Sequence, residues 1–175
     1  MHHYSPNGCL LEELLPQLVG QQAVIVTGPQ RSGTTIAAHI IANRLGYHYV
    51  DEDEFRVDNI ETARFIIHCG HVVLQAPALC HIAHTFGCAV VMMRRPLAEI
   101  HSSERRVHWN GCKAKAEGAK YGVDGLQVAE AKYKRWDEEQ KFQCLSFDLD
   151  YYSLSDDSLW RDAQWRKRFA IRQWQ

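Results

Sequence analysis

Five short apolar runs, each stopped by a turn or by charge, set the rhythm of the chain. The first, Ala23-Val24-Ile25-Val26-Thr27, is rich in β-branched residues and halts at Gly28-Pro29, which predicts a buried strand over 23–27. The period then changes: Ile36, Ala37, Ile40, Ile41 and Leu45 recur at helical spacing, predicting a helix over 33–45 that ends at Gly46. A second strand is expected at 47–50, leading into the acidic Asp51-Glu52-Asp53-Glu54, and Asp58 or Asn59 can cap a helix running to 69. A third strand follows at 71–75, a short helix after Pro77, and a fourth strand at 88–93. Pro96 stands where proline opens a helix. A polar stretch holding Gly111, Gly118, Gly122 and Gly125 comes next, then a helix over 128–141, a last strand over 142–147 and an amphipathic basic helix over 159–174.

Strands separated by helical segments of this length imply right-handed crossovers and a mostly parallel sheet. The expectation is therefore a three-layer α/β fold of about five strands flanked by helices. A single domain over 1–175 is expected, with a core over about 21–108 and a helical C-terminal part over about 124–175. In such sheets ligands sit beyond the carboxyl ends of the strands, so the informative residues should follow each strand.

Charge narrows the function classes. Lys and Arg number 20 against 21 Asp and Glu, a formal net charge of −1. That balance argues against a basic nucleic-acid coat, so any anion affinity must come from local placement of arginine. No run of 18 apolar residues exists, and Glu12 and Glu13 interrupt the apolar N-terminal stretch, which speaks against a membrane span and a signal peptide. Six scattered cysteines without a C-x-x-C pair fit a reduced, cytoplasmic protein. The set Cys69, His71, Cys80, His81 and His84 matches no standard zinc spacing.

Two post-strand segments carry chemistry. Gly28-Pro29-Gln30-Arg31-Ser32-Gly33-Thr34-Thr35 is a glycine-bounded turn between a strand and a helix start, which aims backbone N–H groups and a helix dipole at an anion. It has the spacing of the ATP-type loop G-x-x-x-x-G-K-[ST], but Thr34 stands in place of the lysine and Arg31 is the loop's one cation. The third strand ends in Gln75 and the fourth in Arg94-Arg95, so neither offers the carboxylate that holds magnesium in phosphoryl transfer. The second segment is Arg94-Arg95-Pro96 with Ser102 and Arg106, where Arg94 and Ser102 can converge on one phosphate.

Together these segments resemble the sulfotransferase family, which uses 3′-phosphoadenosine 5′-phosphosulfate (PAPS) as sulfuryl donor and releases 3′,5′-ADP. The motif P-[KR]-S-G-T-T is similar to Pro29-Gln30-Arg31-Ser32-Gly33-Thr34-Thr35, with one extra residue before the arginine. The second motif, an arginine followed eight places on by a serine, is similar to Arg94 with Ser102. The flavour is that of the tyrosylprotein and carbohydrate branch, where the loop carries arginine. The resemblance implies that Gln30, Arg31, Ser32, Gly33, Thr34 and Thr35 cradle the 5′-phosphosulfate and that Arg94 and Ser102 bind the 3′-phosphate. It also implies a glutamate base about twenty residues after the loop arginine: Glu52 first, Glu54 second. Gln75-Ala76-Pro77 falls where that branch has K-D-P.

The reading is thus a sulfotransferase in which Arg31 stabilises the transferred group and a carboxylate, Glu52 or Glu54, takes the acceptor's proton, with no metal expected. His71 and His101 are further candidate bases. The acceptor is a small molecule, carbohydrate or peptide; nucleic acid and membrane are not expected as partners. The alternatives are a P-loop small-molecule kinase using ATP and a non-catalytic nucleotide-binding module. The stretch 110–134 is a candidate lid or acceptor wall.

Overall fold

A computed structural model describes residues 8–51, 70–75, 88–109, 112–140 and 145–162. Five parallel strands form one sheet in the order β2-β3-β1-β4-β5. They are β1 (Ala23–Thr27), β2 (His48–Val50), β3 (Val72–Gln75), β4 (Ala89–Arg94) and β5 (Ser146–Asp150). Every residue of β1, β3 and β4 is buried. A parallel strand covered on both faces needs a continuous apolar run, and this is why these three were legible from composition alone. Val26 pairs with Gln75 on one side and Val91 on the other, so Gln75 and the loop after β1 leave the sheet at the same, carboxyl end.

The helices among the described residues are α1 (Leu11–Leu18), α2 (Thr34–Leu45), α3 (Leu97–Arg106), α4 (Cys112–Tyr121), α5 (Val128–Arg135) and the short α6 (Ser158–Arg161). In α2, Ala37, Ala38, Ile40, Ile41 and Ala42 are buried, and Gly46 at φ 69° closes the helix while the Tyr47 N–H reaches the Ala42 carbonyl at 2.9 Å. α1 buries Leu11, Leu14, Leu15 and Leu18, an i, i+3, i+4, i+7 stripe, into the same core. None of the described helices is long and apolar enough to cross a membrane.

Three expectations are corrected. The last strand runs Ser146–Asp150, several residues later than 142–147, because Asp148 and Asp150 have structural partners: Asp148 binds Arg94 and Trp136, and Asp150 accepts the Tyr152 N–H at 3.1 Å. The polar stretch after Trp109 is helical over Cys112–Tyr121. Its glycines serve close packing: a Cβ on Gly118 would stand 2.5 Å from the Val123 carbonyl oxygen, and one on Gly125 2.8 Å from Ala114 backbone. The helix expected over 128–141 is α-helical only to Arg135 and continues as a π-helical turn, Trp136–Gln140. The helix expected to reach 69, the one after Pro77, and the tail beyond Asp162 lie outside the described residues.

Candidate active site

The loop between β1 and α2 is closed by Ser32, which is fully buried. Its N–H and its hydroxyl both donate to the Pro29 carbonyl, at 3.1 and 2.8 Å. Gly28 is required next to it, since a Cβ there would lie 2.5 Å from Ser32 Oγ. Arg31 (φ 68°) and Gly33 (φ 96°) are both left-handed. Turns of this kind present successive N–H groups to one side as an anion-binding concavity. For Arg31 the conformation costs on the order of 1 kcal/mol or more, a strain typical of functional loops. Gly33 caps α2 without a side chain, and no acidic residue occupies the helix's first turn, so the positive end of its dipole faces the loop unopposed. Gln30 is exposed, while Thr34 and Thr35, the first residues of α2, are half-buried.

Two side chains from beyond β4 brace this strained turn. Arg95 Nη1 donates to the Arg31 carbonyl at 2.8 Å, and Arg31 Nε donates to Ser103 Oγ at 3.0 Å. Arg95 also pairs with Glu99 at 3.2 Å and lies over the Tyr151 ring, 4.1 Å from its centroid. Burial depresses the Arg31 guanidinium below its ordinary value, and the neighbouring charges of Arg95 and Arg106 depress it further. Three arginines that repel one another around one loop are stabilised by an anion among them. Arg106 is exposed, and its side chain makes no hydrogen bond or ion pair among the described residues.

The expected pair of Arg94 and Ser102 does not meet at the loop; the adjacent residues Arg95 and Ser103 do. Arg94 is buried and turned away from the loop. Its Nε donates to Asp148 at 3.0 Å, its Nη groups reach Asp137, and Trp136 Nε1 completes the cluster by donating to Asp148 at 2.8 Å. Burial alone would lower the Arg94 pKa, but the hydrogen bonds to Asp137 and Asp148 outweigh it and hold it above the ordinary value. The Arg94 guanidinium is thus engaged on its Nε and both Nη groups by two carboxylates. Ser102 is exposed; Ser103 is the buried serine. Neighbouring residues at a strand end point to opposite faces, so the pair that reaches the loop is Arg95 with Ser103, again eight apart. Tyr133 holds this strand end: its hydroxyl accepts the Arg95 N–H at 3.0 Å and donates to the Met93 carbonyl at 2.9 Å. Burial pushes its phenol up to about 12.

Glu52 and Glu54 lie outside the described residues. At the carboxyl ends of β2 and β3, Tyr49 joins Asp51 (3.0 Å) to the buried Gln75 (3.1 Å), and the His39 ring stacks on Tyr49 with centroids 3.5 Å apart. His71 contacts Gln21 and Tyr47 at the opposite, amino end of the sheet. His101 Nδ1 is held by the buried Glu104 at 3.1 Å. The sequence reading missed Tyr151, whose ring stands against Gly33: a Cβ there would lie 2.7 Å from two ring carbons. Burial raises its phenol pKa against the opposing charges of Arg95, Arg31 and Arg106.

No family model matches the chain, and no curated protein matches it. Among solved structures it is similar to the shikimate kinase from Acinetobacter baumannii in complex with shikimate, with a TM-score of 0.50 and 13% identity over 91% of this chain and 98% of that one. At that identity the likeness establishes the fold: a parallel α/β sheet of the P-loop type, with its strand–loop–helix at residues 23–45.

Proposed function

We propose that this chain is a P-loop group-transfer enzyme that binds a nucleotide carrying two separated anionic groups, and that the donor is PAPS with sulfuryl as the transferred group. The observation that carries this reading is the convergence of Arg95 and Ser103 on Arg31, beside a loop that lacks the phosphate-binding lysine. Backbone N–H groups of Gly33 to Thr35, with Arg31, hold the 5′-phosphosulfate, while the Ser32 N–H stays on the Pro29 carbonyl. Arg95, Ser103 and Arg106 take the 3′-phosphate. The acceptor oxygen or nitrogen attacks sulfur, the S–O bond to the 5′-phosphate breaks, and 3′,5′-ADP leaves with that oxygen. A carboxylate of the 51–54 cluster, Glu52 or Glu54, accepts the acceptor's proton. Such transfer depends on alignment and on fixed donors aimed at developing charge.

A second reading, an ATP-dependent kinase of small molecules, is favoured by the likeness to a shikimate kinase, which fits it better than it fits a sulfotransferase. Against it stand Thr34 at the lysine position and the amide of Gln75 at the strand end where a metal-holding carboxylate belongs. The deciding experiment offers PAPS or ATP–Mg²⁺ with a panel of hydroxyl and amine acceptors and follows the nucleotide product. Formation of 3′,5′-ADP supports the first reading; ADP formed with acceptor phosphorylation establishes the second.

A further inference from the structure

The anion site draws its cations from the segments after β1 and β4 and from α3, yet its flank is formed by the residue that follows the edge strand β5. Arg94 pairs in register with Asp150, so Tyr151, the next residue, comes level with Arg95. That register explains the cation over the ring at 4.1 Å. The ring itself is fixed from three sides. Trp160 meets it edge-on at 5.1 Å and 78°, Tyr152 at 5.7 Å and 72°, and Gly33 leaves room for it only by lacking a Cβ. The turn that carries it is tied down as well, because Ser153 Oγ donates to the Asp150 carbonyl at 2.6 Å.

A guanidinium lying on an aromatic face keeps its N–H bonds directed outward and loses little freedom when it binds an anion. Arg95 uses Nη1 on the Arg31 carbonyl and Nε on Glu99, and Nη2 makes no hydrogen bond among the described residues. We propose that Tyr151 is a positioning residue of the anion site: its ring holds the Arg95 guanidinium beside the loop and closes the loop's flank toward β5, so that the open N–H edge of Arg95 is set before any anion arrives. This rests on reading the loop as an anion site and not on the identity of the donor.

The test is a double-mutant cycle read by calorimetry with inorganic pyrophosphate, which carries the anion chemistry without a nucleoside. The wild-type chain is compared with Tyr151→Leu, Tyr151→Phe, Arg95→Ala and the Tyr151→Leu/Arg95→Ala double variant. The expected result is a loss of about tenfold in Tyr151→Leu, near-complete retention in Tyr151→Phe, and a double variant within about twofold of Arg95→Ala alone. A purely structural role would lower the melting temperature without coupling the two sites. Additive losses, wild-type affinity in Tyr151→Leu, or equal damage in Tyr151→Phe each overturn the proposal. Should Tyr151→Leu not fold, Tyr151→Met, which has bulk but no aromatic face, takes its place in the same cycle. A wild-type chain indifferent to pyrophosphate overturns this proposal together with the anion site. Binding of pyrophosphate without binding of 3′,5′-ADP contradicts only the donor reading, and the cycle still decides the role of Tyr151.

Discussion

Arg95 donates from Nη1 to the carbonyl oxygen of Arg31 at 2.8 Å, so one arginine braces the left-handed backbone of the other. The contact couples the end of β4 to the turn after β1 and concentrates positive charge where the loop amides are exposed. Arg95→Ala should therefore weaken 3′,5′-ADP binding by about tenfold or more, the worth of one charge-assisted hydrogen bond, with a small change in stability. Arg94→Ala should do the reverse. It strands Asp148 and Asp137 around the buried Trp136 and should cost about 3 kcal/mol, read by denaturant titration, while nucleotide affinity in the folded fraction stays near wild type. Similar nucleotide affinities in the two variants would return the phosphate role to Arg94.

Arg31 combines a backbone strain with a charged side chain, and glycine separates the two. In Arg31→Gly the left-handed conformation is free of penalty, so the unliganded melting temperature should hold or rise by a degree or two. Anion affinity should fall at least tenfold, because the guanidinium is gone. A melting temperature well below that of wild type would show that the Ser103 contact outweighs the strain.

Gly33→Ala combines two costs: a positive φ of 96° and a Cβ 2.7 Å from the Tyr151 ring. A loss of about 1–3 kcal/mol is expected, together with loss of 3′,5′-ADP binding as the ring is displaced. Circular dichroism melts and calorimetry on the same sample check both effects. Unchanged binding would separate the loop from Tyr151.

Acid should reach the α4–α5 corner through Glu117. Burial tends to raise its carboxyl, but the hydrogen bond from Lys120 and the charge of Lys132, 3.0 Å away, prevail and hold it below the ordinary carboxylate range. A depressed carboxylate stabilises the fold above its unfolded pKa, and that contribution disappears as pH falls through the lower, folded value. Glu117→Gln should accordingly lower stability at pH 7 and lose less than wild type on going from pH 6 to pH 3. Parallel stability curves for the two proteins over that range would contradict this.

Much of this architecture was legible because buried parallel strands must be apolar throughout, as Val24–Val26 and Val90–Met93 are. β5 was misplaced because Asp148 and Asp150 break its apolar run, and their partners, Arg94 and the Tyr152 amide, come only with the fold. Had the strand been ended at Asp150, the rule that ligands gather beyond strand ends would have led to Tyr151. In the site, the sequence offers two arginine–serine pairs with the same spacing of eight, because Arg94 and Arg95 are adjacent and so are Ser102 and Ser103. Only the carboxylates facing the end of β4 decide between them: Asp148 and Asp137 capture Arg94 and leave Arg95 to the loop. The spacing of eight alone does not choose between the two pairs.

On the proposed reading the loop and its arginines recognise a nucleotide with a second phosphate away from the 5′ end. Calorimetry with 3′,5′-ADP, ADP and ATP–Mg²⁺ on the wild-type chain tests it most directly. 3′,5′-ADP should bind at least tenfold more tightly than ADP, and magnesium should add nothing to its affinity. Tight, magnesium-dependent binding of ATP with no preference for 3′,5′-ADP would contradict it and establish the kinase reading instead.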